Sequence, residues 1–140
     1  MPDTPPFHLA FPVHDLDLAR RFYVGVLGCG VGRENSHWID FDFWGHQVVA
    51  HLTEGGPGDV AENPVDGHQV PSRHFGVVLG WDDWHRLADK LKAAELTFIV
   101  APYIRFQGKV GEQATMFVRD PSGNALEFKS FKNGDQMFAK

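Results

Sequence analysis

The 140-residue sequence predicts an α+β protein built from two tandem βαβββ modules, about residues 7–53 and 73–131. Three observations carry that reading. An opening is written twice, as "PFHLAFPVHDLDLARRFYVG" from Pro6 and "SRHFGVVLGWDDWHRLADKL" from Ser72; each pairs a histidine with an aromatic residue, then runs through an apolar segment and an acidic residue into a helical pattern. Three short strand-like segments follow each opening. Between the halves lies "EGGPGDVAENPVDGHQVPS", residues 54–72, whose Gly, Pro and acidic content reads as a linker.

Each element follows from its own pattern. Phe7, Leu9, Phe11 and Val13 alternate with His8, Ala10 and Pro12, as on a strand with one apolar face. Asp15 suits a helix N-cap, and Leu16, Ala19, Phe22, Tyr23, Val26 and Leu27 recur at helical spacing until Gly28 stops them. Strands are predicted near Val31, over 37–43 and over 46–53, the last two joined at Trp44–Gly45. In the second half Phe75, Val77 and Leu79 share one strand face, opposite His74, Gly76 and Val78. A helix is predicted from Asp82 or Asp83 through Leu87, Leu91 and Ala94, then strands over 97–100, 114–119 and 125–131. "DPSGN" joins the last two, since Pro121 presets φ and Gly123 permits a positive one. Residues 132–140 read as a tail.

Composition narrows the function. With 43% hydrophobic and 22% charged residues, the chain is ordinary for a soluble globular domain. A net charge of -5 and a pI near 5.8 speak against a nucleic-acid surface. No apolar run is long enough for a membrane span, and no signal peptide is evident. A single cysteine, Cys29, cannot form an internal disulfide, which fits a cytoplasmic setting. Eight histidines in so short a chain point to histidine chemistry.

Four polar side chains recur at matching places. His8 and His74 stand 66 residues apart on the first strands. His51 and Glu127 stand 76 apart on the last strands, which places a ten-residue insertion in "PYIRFQGKVGEQ", residues 102–113. On each strand the more apolar face suits the helices, which leaves these four on the other face. If the modules curl together, that face lines a cup in which the four residues gather as metal ligands. His14, His37, His46, His68 and His85 lie at strand ends, in the linker or on a helix, and read as structural. Cys29 reads as a packed thiol, and Trp38, Trp44, Trp81 and Trp84 as packing or interface residues.

These residues carry a family resemblance. "HLAFPVHDLDLARRFYVGVLG", with Asp15, Ala19, Arg20, Phe22, Tyr23, Leu27 and Gly28, resembles the opening of the vicinal oxygen chelate superfamily. So does the closing motif Asp120, Pro121, Gly123, Asn124 and Glu127. That superfamily includes glyoxalase I, extradiol dioxygenases, drug-resistance proteins and methylmalonyl-CoA epimerase. The resemblance implies paired βαβββ modules forming a curved, partly closed mixed sheet around a metal cup. It implies His8, His74 and Glu127 as ligands, and a homodimer. His51 stands where glyoxalase-type members usually carry a glutamate. The chain further resembles small extradiol-type dioxygenases.

The ligand set suggests the chemistry. Two histidines and a carboxylate suit Fe(II), leaving positions for an aromatic diol and dioxygen. His51 would then be a catalytic acid or base, with Tyr103 a second catalytic candidate. If His51 binds the metal instead, a glyoxalase- or epimerase-like reaction with Mn, Zn, Ni or Co as Lewis acid fits better. A non-catalytic drug- or metabolite-binding protein is the third possibility. Arg105, Phe106, Gln107 and Lys109 in the insertion are candidates for contact with a small-molecule substrate.

Overall fold

Hydrogen bonding divides the strands into two four-stranded sheets and one hairpin in the computed structural model, which describes residues 3–140. The chain forms two compact units. One runs to Asp59 and includes Asp120–Asn124; the other comprises Val60–Arg119 and Ala125–Lys140.

In the first unit β1 (His8–Val13) leads to α1 (Leu16–Arg20), which continues as a π-helical segment, Arg21–Val26. Then come β2 (Gly30–Glu34), β3 (Trp38–Phe43) and β4 (His46–Leu52), in the sheet order β1-β4-β3-β2. Only β1 and β4 run parallel. Asp15 caps α1 as expected, its carboxylate accepting from Leu18 N at 2.9 Å. The helix widens because Leu27 N reaches back to Phe22 O, and Gly28 at φ 82° ends it. Ala19, Phe22, Tyr23 and Leu27 are buried, as are the inward strand residues Phe11, Val13, Ile39, Phe41, Val48 and Ala50. Tyr23 stacks on Phe41 with ring centroids 4.9 Å apart. The wholly exposed edge strand β2 is irregular between Val31 and Glu34, a bulge that discourages edge pairing.

The second unit repeats the plan with one addition. Residues 54–72, read as a linker, contain a hairpin of β5 (Glu62–Val65) and β6 (His68–Pro71). It is followed by β7 (His74–Val78), α2 (Trp81–Ala93), β8 (Phe98–Arg105), β9 (Gln113–Arg119) and β10 (Ala125–Phe131). The sheet order is β7-β10-β9-β8, with β7 and β10 parallel. Helix α2 starts at Trp81, one or two residues earlier than expected, with Gly80 as N-cap; Asp82 and Asp83 fall in its first turn, where they complement the helix dipole. Trp84, Leu87, Ala88 and Leu91 form its buried stripe. Trp84 also donates its indole N–H to Phe128 O at 2.8 Å, pinning α2 to β10. Strand β8 runs on to Arg105, so the supposed insertion shrinks to a loop over 106–112.

The expected curved, partly closed sheet around a metal cup is therefore corrected. Each sheet completes its ladders within its own four strands, and among the described residues none joins the two. Among the described residues no group of three or more His, Cys, Asp or Glu gathers to hold an ion. Each sheet already has a helix to bury its apolar face, so hydrogen bonding imposes no closure. No helix among the described residues is long and apolar enough to cross a membrane.

Candidate functional site

Strand alternation sets up the site in the second unit. On β10, Leu126, Phe128 and Ser130 are buried, while Glu127 and Lys129 on the other face are half-buried. Parallel pairing aligns His74 with Ala125 and Gly76 with Glu127. Gly76 is required here: a Cβ at this position would lie 1.5 Å from Glu127 O. That close approach brings His74 Nε2 to 3.2 Å from Glu127 Oε1.

Three further groups hold this pair. Thr115, on β9 and almost fully buried, donates its hydroxyl to Glu127 Oε2 at 2.5 Å. Pro71 O, at the end of β6, accepts from His74 Nδ1 at 2.7 Å. Phe117 meets the His74 ring edge-on with centroids 5.0 Å apart. The side chains of His74 and Glu127 keep 27% and 13% of their exposure, so the pair is sheltered yet reachable. Burial opposes charge on Glu127, but the hydrogen bonds from His74 and Thr115 outweigh it and hold the carboxyl below its ordinary value. The Glu127 hydrogen bond raises His74 above the usual imidazole value, against its burial.

The first unit prepares His8 in a similar way. His8 Nδ1 donates to Gln47 Oε1 at 2.8 Å. Gln47 Nε2 is 3.5 Å from Asp40 Oδ2, a contact that orients the amide. In both histidines Nδ1 is engaged by an oxygen acceptor, so Nε2 is the nitrogen left to meet other groups; in His74 it faces Glu127. The first unit lacks the carboxylate, however. His8 aligns with Gln47 as His74 aligns with Ala125, so the position matching Glu127 is Val49. His51 lies beside Pro12, four residues beyond Gln47 on β4. At about 3.3 Å per residue, that is about 13 Å along the strand. It matches Lys129 rather than Glu127.

The other expected site residues have different neighbours. Tyr103 donates its hydroxyl to Asp66 Oδ2, at the tip of the β5–β6 hairpin. Arg105 Nε lies 2.7 Å from the same oxygen as an ion pair, although its N–H is not aimed for a hydrogen bond, and Nη2 donates to Oδ1 at 3.3 Å. Burial and the Asp66 hydrogen bond push the Tyr103 phenol up to about 12. The Tyr103 hydrogen bond lowers Asp66. Phe106 is exposed with φ 55°, and the Arg105 guanidinium sits 4.9 Å from its ring centroid. Gln107 and Lys109 are exposed in the following loop. The histidines read as structural include His14, bonded to Ser122 Oγ at 2.7 Å, and His85, bonded to Trp81 O at 2.8 Å.

Sequence reasoning missed Thr115, the Pro71 carbonyl, Gln47, Asp40 and Asp66. A threonine in "ATMFV" looks like an ordinary β-branched strand residue. The hairpin did leave a signal: "PVDGHQV" centres on Asp-Gly, a two-residue hairpin turn.

The chain matches the Glyoxalase/Bleomycin resistance protein/Dioxygenase superfamily over residues 6–128. Among solved structures it is similar to a glyoxalase/bleomycin resistance protein/dioxygenase from Alicyclobacillus acidocaldarius. The two are 36% identical over 96% of each chain, with a TM-score of 0.79. It shares its fold with the fosfomycin resistance protein FosX from Listeria monocytogenes, at 13% identity, 96% and 98% coverage and a TM-score of 0.69. It also shares it with a lactoylglutathione lyase from Agrobacterium tumefaciens, at 15% identity, 94% and 97% coverage and a TM-score of 0.62. No curated protein sequence matches the chain.

Proposed function

Because the chain belongs to the glyoxalase/bleomycin resistance protein/dioxygenase superfamily, we propose that it is a metal-dependent enzyme, a dioxygenase that opens the ring of an aromatic diol. One observation carries this reading. His74 commits its Nδ1 proton to Pro71 O, so Nε2 is the nitrogen that faces the Glu127 carboxylate at 3.2 Å. Without metal a proton on Nε2 bridges that gap as the hydrogen bond to Glu127, and a divalent cation would take the proton's place between the same two donors. The donor types fit a divalent ion, and the spacing suits neighbouring donors with bonds of about 2.1 Å.

In this reading Glu127 supplies negative charge and His74 a neutral nitrogen. Thr115 and Pro71 fix the orientation of each, as partners of metal ligands usually do. A bound Fe(II) ion would supply a seat for the two diol oxygens and a path for electron density from the diol to dioxygen. His8 is prepared like His74, its Nδ1 held by Gln47 Oε1. The rival isomerase or epimerase reading needs a fourth donor at the position matching Glu127. That position is Val49, and His51 lies further along β4. The register thus supports the dioxygenase reading over the four-donor one.

Anaerobic reconstitution with Fe(II), followed by a panel of catechols in air, tests the proposal. Oxygen uptake with a yellow ring-opened product is expected, and Glu127→Ala should abolish both. If the panel stays silent while the Ni²⁺- or Zn²⁺-loaded protein isomerises a hemithioacetal without oxygen, the dioxygenase reading is overturned.

A further inference from the structure

We propose that the β5–β6 hairpin is a positioning element for His74, and that Asp66 is the residue that holds it in place. The inference rests on the reading of His74 as the functional histidine of this unit. The hairpin meets the sheet at three levels. At its tip the Asp66 carboxylate receives the Tyr103 hydroxyl and the Arg105 guanidinium. At mid-length Val70 is buried against Val100 and Phe117, with Val65, Ile99 and Tyr103 around them. At its end Pro71 offers its carbonyl to His74 Nδ1 at 2.7 Å.

The lower two levels act on the same imidazole. Phe117, which the hairpin helps to cover, is the ring that His74 meets edge-on. Pro71 O decides which ring nitrogen keeps its proton. Ring orientation and the availability of Nε2 therefore both depend on a docked hairpin. Docking in turn depends on the tip, because a two-stranded hairpin is marginal by itself.

The identity of residue 66 separates two demands. Asp66 and Gly67 have φ 48° and 82°, as in a two-residue turn with both central residues left-handed. Asparagine suits that turn as well as aspartate does, so the turn alone does not demand a carboxylate. The tie to Tyr103 and Arg105 does, since the guanidinium pairs with a negative charge. Tyr103 and Arg105 thereby act through the hairpin as positioning residues.

The test is NMR of the ¹⁵N-labelled full chain without metal, comparing wild type, Asp66→Asn and Arg105→Met. The readout is the His74 Nδ1–H resonance and its exchange with water. A slowly exchanging, downfield proton is expected in wild type. In both variants its exchange should quicken about tenfold, the loss expected of one charge-assisted bond, while amide protection in α2 stays unchanged. Exchange within about twofold of wild type in Asp66→Asn overturns the inference. So does an equal loss of protection across α2, which would mean general destabilisation. Because no metal takes part, a protein that shows the expected pattern yet binds no ion sinks the proposed function and leaves this inference standing.

Discussion

Asp120 shows how much a single carboxyl can organise. It is buried in the first unit, although the turn that carries it joins β9 to β10. It accepts from Tyr23 Oη at 2.8 Å, from Asn124 Nδ2 at 2.9 Å and from the backbone N–H groups of Ser122 and Asn124. Burial raises Asp120 above its ordinary value, partly offset by these bonds. Tyr23 is raised well above 10.0, first by its burial and then by Asp120. A phenol raised on folding contributes stability that is complete below the unfolded value and is lost as pH climbs through the folded one. Tyr23→Phe should cost about 1.5–3 kcal/mol in urea unfolding at neutral pH, the range for a hydrogen bond to a charged group. It should also reduce the fall in stability above about pH 10, the reference value for tyrosine. At this scale the sequence was informative where a residue breaks a pattern. His74 and Glu127 stand out on strand faces, whereas Thr115 hides among β-branched neighbours.

At the scale of elements, alternation revealed faces but not register. His51 and Val49 share a face of β4, so a slip of two residues leaves the apolar pattern intact. Only the pairing of β1 with β4 shows that Val49 matches Glu127. Residues 54–72 were hidden for another reason. Their Gly, Pro and acidic content signals a linker, while their ordering comes from Val70, Asp66 and Pro71 meeting residues far along the chain. Gly76 is the element whose role is most exposed to test. Its added Cβ would overlap Glu127 O, so β7 would have to move away from β10. Gly76→Ala should cost about 3 kcal/mol in urea unfolding, the upper end for overpacking. A loss below about 0.5 kcal/mol would show that the strands yield without strain.

For the whole molecule, the duplicated plan was legible because each half carries the same order of strand and helix signals. The expected closure was not, because it depends on pairing between halves that no local periodicity encodes; the ladders form two separate sheets. Membership of the superfamily fits the repeated plan, and the His74–Glu127 pair supports a metal-dependent reading of it. The most direct test is an anaerobic calorimetric titration of the metal-free protein with Fe(II) and with Zn²⁺. It should be run on wild type, His74→Ala, Glu127→Ala, Thr115→Val and His51→Ala. Binding near one ion per chain is expected for wild type. The first two variants should lose it, Thr115→Val should weaken it by about tenfold, and His51→Ala should leave it unchanged. Wild type without affinity for either ion, or Glu127→Ala binding as tightly as wild type, would contradict the account.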